Sequence, residues 1–177
     1  LTTAESLPNA DRSYRGGVHE GIDFICGVHG RSARTPLAGQ VLVADAAFTD
    51  PTPQERLELL DIAKATGHTP PWTLAMLFGR FVVIDHGNLP GVGHVVTIYA
   101  HLEKIDPKVR PGAHLAAGDR IGEIGNSGTE TAGTGGTRPQ SIHLHWEIHV
   151  DDRYLAAGRS FADTSAIYAA LFGRPAR

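Results

Sequence analysis

Residues 142–150, Ile142-His143-Leu144-His145-Trp146-Glu147-Ile148-His149-Val150, alternate apolar and polar without a break. Side chains on a β-strand point to opposite faces with period two. One face therefore gathers Ile142, Leu144, Trp146, Ile148 and Val150 and belongs to a core. The other gathers His143, His145, Glu147 and His149. Three imidazoles and a carboxylate in a row are poor packing material, but they suit metal ligation and proton transfer. At about 3.3 Å per residue, His143 and His145 stand roughly 6.6 Å apart at the backbone, so both rings can reach one metal and its water. His149 stands about 13 Å from His145, too far to share that ion, and reads as an ordinary sheet-face histidine. Spacing does not choose between His143 and His145 as the ligand.

Outward from this strand the same texture recurs. Val41-Leu42-Val43-Ala44, Phe81-Val82-Val83-Ile84 and Val95-Val96-Thr97-Ile98-Tyr99 are short, rich in β-branched and aromatic residues, and bounded by Gly, Pro or Asp. Such runs suit a pleated surface, and the 21 glycines suit tight turns. The fold class expected is all-β and antiparallel, with residues 1–177 forming a single domain. Residues 49–79 break the pattern. Thr52-Pro53-Gln54-Glu55 carries a capping residue, a proline at the first helical position and a glutamate three residues after the cap, and Gly67 is placed to stop the helix. A second short helix is expected over Pro71 to Phe78, ended by Gly79. This inserted helical hairpin is expected to pack on the β domain through Leu57, Leu60 and Trp72 and to wall a groove. Thr129 to Thr137 reads as a flexible loop. A short C-terminal helix, capped by Thr164 or Asp163, is expected to run through Phe172.

Two further segments carry chemistry. His19-Glu20-Gly21-Ile22-Asp23-Phe24 begins like the zinc helix H-E-x-x-H, but position 23 is Asp and the neighbours Ile22, Phe24 and Ile25 favour a strand. On a flat strand His19 and Asp23 would lie about 13 Å apart; a bend at Gly21 can bring them together. Glu20 is then expected to face solvent. In Ile98-Tyr99-Ala100-His101-Leu102, Tyr99 and His101 are expected on one face.

Together these pieces resemble the M23 family of zinc metallopeptidases, the lysostaphin and LytM-like enzymes. The resemblance reads His19-Glu20-Gly21-Ile22-Asp23-Phe24, then Tyr99-Ala100-His101-Leu102, then His143-Leu144-His145-Trp146-Glu147-Ile148. Weaker matches are Pro36-Leu37-Ala38-Gly39-Gln40-Val41, Val83-Ile84-Asp85-His86-Gly87, Gly118-Asp119-Arg120-Ile121-Gly122 and Gly125-Asn126-Ser127-Gly128. It implies a lysostaphin-like β-sheet or sandwich in which His19, Asp23 and His145 ligate one Zn2+ per chain, water completing a tetrahedral site. It gives His101 and His143 catalytic roles beside the metal, with Glu147 and Tyr99 as residues that support the imidazoles. The implied activity is hydrolysis of peptide cross-links in bacterial peptidoglycan, either glycine bridges or stem-peptide bonds. The implied location is extracellular, periplasmic or otherwise at the cell envelope. The alternative is a catalytically silent relative that binds cell wall or activates an amidase. A cupin-like iron or manganese protein would also use a His-x-His pair, but would leave His19 and Asp23 unexplained.

Composition sets bounds on partners. A formal net charge of −3, with scattered Lys and Arg, gives no reason to expect nucleic acid as a partner. No run is apolar and long enough to span a bilayer. The chain opens on Leu1 rather than Met, so an upstream signal, anchor or domain is expected. Cys26 is the single cysteine; no internal disulfide can form, and it reads as a small buried apolar residue. His29, His68 and His114 are expected in exposed turns, and His86 and His94 in structural hydrogen bonds.

Overall fold

A computed structural model describes residues 3–173. Its strands are β1 (Asp11–Arg12), β2 (Gly17–Val18), β3 (Ile22–Ile25), β4 (Ser32–Arg34), β5 (Gly39–Ala44) and β6 (Val82–Leu89). These are followed by β7 (Gly93–Ala100), β8 (Leu102–Ile105), β9 (His114–Leu115), β10 (Arg120–Ile124), β11 (His143–Val150) and β12 (Arg153–Tyr154). The helices are α1 (Pro53–Thr66), α2 (Pro71–Phe78), α3 (Glu130–Gly133) and α4 (Phe161–Leu171). The larger sheet runs β12-β11-β7-β6-β5-β9, with β3 also paired to β11, and a three-stranded sheet runs β4-β10-β8. Pairing is antiparallel throughout these sheets. The fold is thus the expected antiparallel β architecture with a helical insertion and a C-terminal helix.

The alternating strand is central. The apolar face of β11 delivers Trp146 and Ile148 to a core shared with Ile22, Val82, Ile84, Tyr99, Leu102 and Ile121. Helix α4 covers part of this face through the fully buried Tyr168, and the Phe172 ring lies 6.1 Å from that of Trp146. Its cap is Ser160, whose hydroxyl accepts from the Asp163 amide, rather than Thr164 or Asp163. The polar face is covered too: His145 and Glu147 are buried. On one flank β3 pairs with β11 and sets Asp23 opposite His145. On the other, β7 sets Ala100 opposite His145 and Tyr99 opposite Trp146.

The insertion forms as its signals predict. Thr52 and Glu55 make a reciprocal capping box, Pro53 opens α1, and Gly67 closes it in the left-handed conformation. Its packing face differs from the expectation. Leu60 turns inward as expected, but Leu57 and Trp72 are 54% and 63% exposed, and Arg56, Leu59 and Ala63 complete the inward face in their place. The reason is its partner: α1 leans on the turn at residues 13–16 rather than on the sheet. There, a Cβ on Gly16 would come within 2.7 Å of the Ala63 carbonyl. Residues 129–137, expected as a loop, hold one helical turn, α3, whose cap is Thr129.

Gly21 governs the entry into β3. Residues 19–21 leave the strand geometry, as a bend there requires. What demands glycine is contact, not a positive φ: a Cβ would lie 2.7 Å from the Trp146 carbonyl and 2.8 Å from His145 Cε1. Gly21→Ala is therefore expected to cost about 1–3 kcal/mol of stability, read by urea denaturation. An unchanged midpoint would mean that β11 yields freely at this contact.

Candidate metal centre

Four chain segments meet beside the middle of β11. His19 leads into β3, Asp23 sits on it, His143 and His145 sit on β11, and His101 follows β7. His19 Nε2 lies 3.1 Å from Asp23 Oδ1 and 2.9 Å from His145 Nδ1, and His145 Nδ1 lies 3.0 Å from Asp23 Oδ1. These three atoms form a nearly equilateral triangle. The remaining ring nitrogens are engaged behind it. His19 Nδ1 donates to the Leu7 carbonyl at 3.0 Å, and His145 Nε2 donates to Glu147 Oε1 at 2.8 Å. Both imidazoles therefore aim a lone pair at the triangle, the orientation that supporting hydrogen bonds impose on metal-binding histidines.

The donor set fits a divalent ion. Zinc bonds of about 2.0–2.1 Å at tetrahedral angles separate neighbouring ligand atoms by roughly 3.3 Å, so each edge needs to open by only a few tenths of an ångström. Two imidazoles and one carboxylate also leave a fourth position free, as hydrolytic zinc sites require.

Electrostatics sets the protonation of the cluster. Burial raises the Asp23 carboxyl, but hydrogen bonds from His145 and His19 and their charge hold it well below the usual carboxylate range. Burial lowers His145, yet Asp23 and Glu147 outweigh it and lift this imidazole to about 9. Burial dominates at His19, which is lowered despite Asp23. Glu147 is pushed down to about 2: burial opposes its ionisation, and the His145 and His149 hydrogen bonds overcome it. His145, the one imidazole that touches two carboxylates, is thus the group in the cluster most favoured to take up a proton when no other cation is bound.

His101 and His143 flank the triangle, with ring centroids 4.5 Å apart. His101 Nδ1 donates to the Ser127 carbonyl at 2.8 Å, and His143 Nδ1 donates to the Ser141 carbonyl at 3.0 Å. A carbonyl can only accept, so each ring carries its hydrogen on Nδ1 and keeps the Nε2 lone pair. His143 Nε2 lies 3.7 Å from Asp23 Oδ1. Burial is the first cause that lowers both rings and keeps them neutral; at His101 the neighbouring His143 and His145 deepen the shift, which takes it well below the ordinary value.

His101 reaches this position through an uncommon backbone, with φ 60°. Had β7 continued, register would have sent His101 to the core side with Tyr99. The left-handed residue instead turns the ring 5.9 Å from that of His145. Its amide bonds to the Phe78 carbonyl and its own carbonyl accepts from Gly125, both at 2.9 Å.

Other expected residues fall elsewhere. Tyr99 does not support an imidazole: it is buried in the apolar core, where its hydroxyl accepts from Thr97 at 3.2 Å. Glu20 is half-buried rather than solvent-facing, and it lies with Glu147 and His149 in a second acidic and imidazole group. His149 Nε2 donates to Glu147 Oε2 at 2.7 Å, so it continues the hydrogen-bonded chain from the triangle. Cys26 is half-buried at the core edge, with its thiol on the Phe24 carbonyl. His86 and His94 bond to Thr97 and Asp85, and His29, His68 and His114 are exposed, His114 within β9. In the sequence, Ser127 stands only within a weak family match, with no sign that its carbonyl orients His101; Arg12, Arg15 and Arg56, which line the same cavity as the histidines, go unmarked there.

A model of peptidase family M23 matches residues 62–157, more than half of the chain. The match includes His101, His143 and His145, whereas His19 and Asp23 lie ahead of it and join the cluster through the fold. No curated protein matches. Among solved structures, the SpoIIQ-SpoIIIAH pore-forming complex matches at 19% identity and TM-score 0.50, over 85% of this chain and 68% of that one. A zinc-containing peptidase from Vibrio cholerae matches at 23% identity and TM-score 0.47, over 81% of this chain and 30% of that one. Lysostaphin matches at 21% identity and TM-score 0.45, over 77% of this chain and 38% of that one. The chain thus spans about a third of the length of the last two. At such identities the likeness is one of fold.

Because the triangle must lose the His145 proton to accept a metal, zinc affinity is expected to rise with pH up to about 9 and to weaken below neutrality. Calorimetric titration of chelator-stripped protein at pH 7, in buffers of different ionisation enthalpy, should register release of about one proton. His145→Ala should abolish stoichiometric zinc uptake, and full occupancy in that variant would exclude His145 as a ligand.

Proposed function

The chain belongs to peptidase family M23, and from this membership we propose that it is a zinc-dependent endopeptidase acting on the peptide cross-links of bacterial peptidoglycan, at the cell envelope or outside the cell. The observation that carries this reading is the convergence of His19 Nε2, Asp23 Oδ1 and His145 Nδ1 within 3.1 Å of one another, beside two neutral imidazoles. Residues 1–177 are read as one peptidase domain, in keeping with the packing of Leu7 and Tyr168, from opposite ends of the chain, in one core.

Zinc held by His19, Asp23 and His145 would supply a Lewis acid and a water made acidic enough to ionise near neutrality. His101 and His143 provide the proton traffic. Each offers an Nε2 lone pair to the cavity, so either can take a proton from the attacking water and pass it to the leaving amine. The other, once protonated or hydrogen-bonded, offsets negative charge on the carbonyl oxygen. Glu147 fixes the His145 tautomer and, through His149, extends the support to the protein surface. The cavity is bounded on one side by Leu74, Leu77 and Phe78 of α2, so the insertion walls it, although through a different face than the sequence suggested.

The three proposed ligands and the two flanking imidazoles are all present and all converge, which favours catalysis over wall binding alone.

Removing one flanking imidazole separates ligation from catalysis. His101→Ala and His143→Ala are each expected to retain about one zinc per chain while losing some 10²-fold or more in turnover. Metal content by mass spectrometry and release of new amino termini from purified peptidoglycan test this. Wild-type protein that binds zinc yet releases no termini from walls of several cross-link types would favour the scaffold.

A further inference from the structure

The cavity beside the proposed metal centre, about 230 Å3 in volume, is lined by three arginines as well as by the histidines. Arg12 ends β1, Arg15 sits in the turn that follows it, and Arg56 comes from α1. Their partners are almost entirely neutral. Arg12 donates to the carbonyls of Asp11 and Glu5. Arg15 donates to the Thr69 hydroxyl and the Val18 carbonyl. Arg56 donates to the Gly128 carbonyl at 2.6 Å. Among the described residues, no carboxylate lies within 4.0 Å of Arg15 or Arg56, and Arg12 has only Asp23 Oδ2, at 4.0 Å. Asp23 is already committed to the triangle. Of the remaining lining residues only Glu130 is acidic.

We propose that Arg12, Arg15 and Arg56 form an anion-recognition wall, and that the peptide cleaved here carries a free carboxylate close to the scissile bond. The proposal rests on the hydrolase reading above and narrows its substrate class. A bridge made of glycines alone presents neither a side chain nor a carboxylate to this wall; a stem peptide with free carboxylates does.

Three cations around one partly enclosed cavity are costly unless anions accompany them. The protein as a whole carries a net charge of −3, so the local excess is not a reflection of global charge. Each guanidinium has five N–H donors in a planar fork, and the contacts above leave several unused on each. A carboxylate would meet them as paired, charge-assisted hydrogen bonds, the strongest that neutral pH allows. Arg12 comes within 4.0 Å of Asp23 Oδ2, a corner of the proposed metal site, and Arg56 lines the cavity together with Leu74, Leu77 and Phe78 of α2. A peptide entering this cavity meets the arginines and the histidines in one space, so a carboxylate near its scissile bond is within the reach of the guanidinium groups. Burial also weakens the Arg56 cation, with Tyr14, Glu130 and Asp50 compensating only through space.

The test uses zinc-loaded protein and three probes: a cross-linked stem-peptide dimer with free carboxylates, the same dimer with its carboxylates amidated, and pentaglycine. Both kcat/KM and calorimetric Kd are measured, so that binding is read even if nothing is cleaved. The free-acid dimer is expected to be preferred over the amidated one by about 10-fold or more. Arg56→Gln should collapse that ratio toward unity with zinc content intact, and Arg12→Gln provides a second variant. Preferential binding of the free-acid dimer without cleavage would uphold the wall and refute the hydrolase reading. Equal treatment of the two dimers, binding of neither, preference for pentaglycine, or a ratio that survives in both variants would overturn the wall.

Discussion

Three lone pairs pointed at one another from within 3.1 Å repel unless a positive charge sits among them. Much of the architecture around β11 exists to hold them there. The Leu7 carbonyl and Glu147 pin the rear nitrogens, so neither ring can rotate its lone pair away. The β3–β11 register sets Asp23 directly opposite His145. The bend at residues 19–21, pressed onto the β11 backbone through Gly21, brings His19 over the top. A cluster preorganised in this way would trade stability of its cation-free state for affinity toward a bound cation. The proton on His145 is what the same geometry captures when only protons are offered.

The flanking histidines follow a different logic. They stand outside the triangle of His19, Asp23 and His145, and their environment keeps them uncharged. Burial accomplishes this, while backbone carbonyls at Ser127 and Ser141 select the tautomer. His101 additionally occupies a left-handed conformation that costs a residue with a Cβ about 1–2 kcal/mol. Hydrogen bonds from Phe78 and Gly125 hold it in place. Strain of this kind persists where surrounding structure over-determines it, and it is concentrated at functional sites.

What could be read from the chain beforehand was whatever local chemistry dictates. The strict alternation of residues 142–150 specified a strand, its core face and its histidine face, and all three are observed. The Thr52 capping box with Gly67 specified both ends of α1. Features that depend on distant partners were not legible. Nothing local tells Leu57 from Leu59; the turn at residues 13–16 decides which side of α1 is inward. Tyr99 and His101 share strand parity, and only the tertiary bonds at His101 separate them. Ser160 displaced Asp163 as the cap of α4 because Asp163 sits at the third helical position, where its amide donates to the Ser160 hydroxyl. Arg12, Arg15 and Arg56 have no spacing that marks them as a group, since the fold alone brings them to one cavity. Periodicity could not separate His145 from His143; the fold sets His145, rather than His143, in the triangle with His19 and Asp23.

The end of the insertion has a consequence for how this domain can be rearranged by evolution or engineering. The Phe78 carbonyl receives the His101 amide. Gly79 lies so close to Ser127 that a Cβ there would fall within 2.5 Å of three Ser127 atoms, and the Ser127 carbonyl orients the His101 ring. The hairpin and the histidine are therefore joined through two adjacent residues. The exchangeable unit is not the whole of residues 49–79 but α1 and the start of α2, and the true seam lies inside α2, upstream of Phe78. Recombination at the strand boundary would transplant part of the support of His101 along with the decoration. Variation in this lineage is thus expected to accumulate toward Thr52 and to thin out toward Gly79.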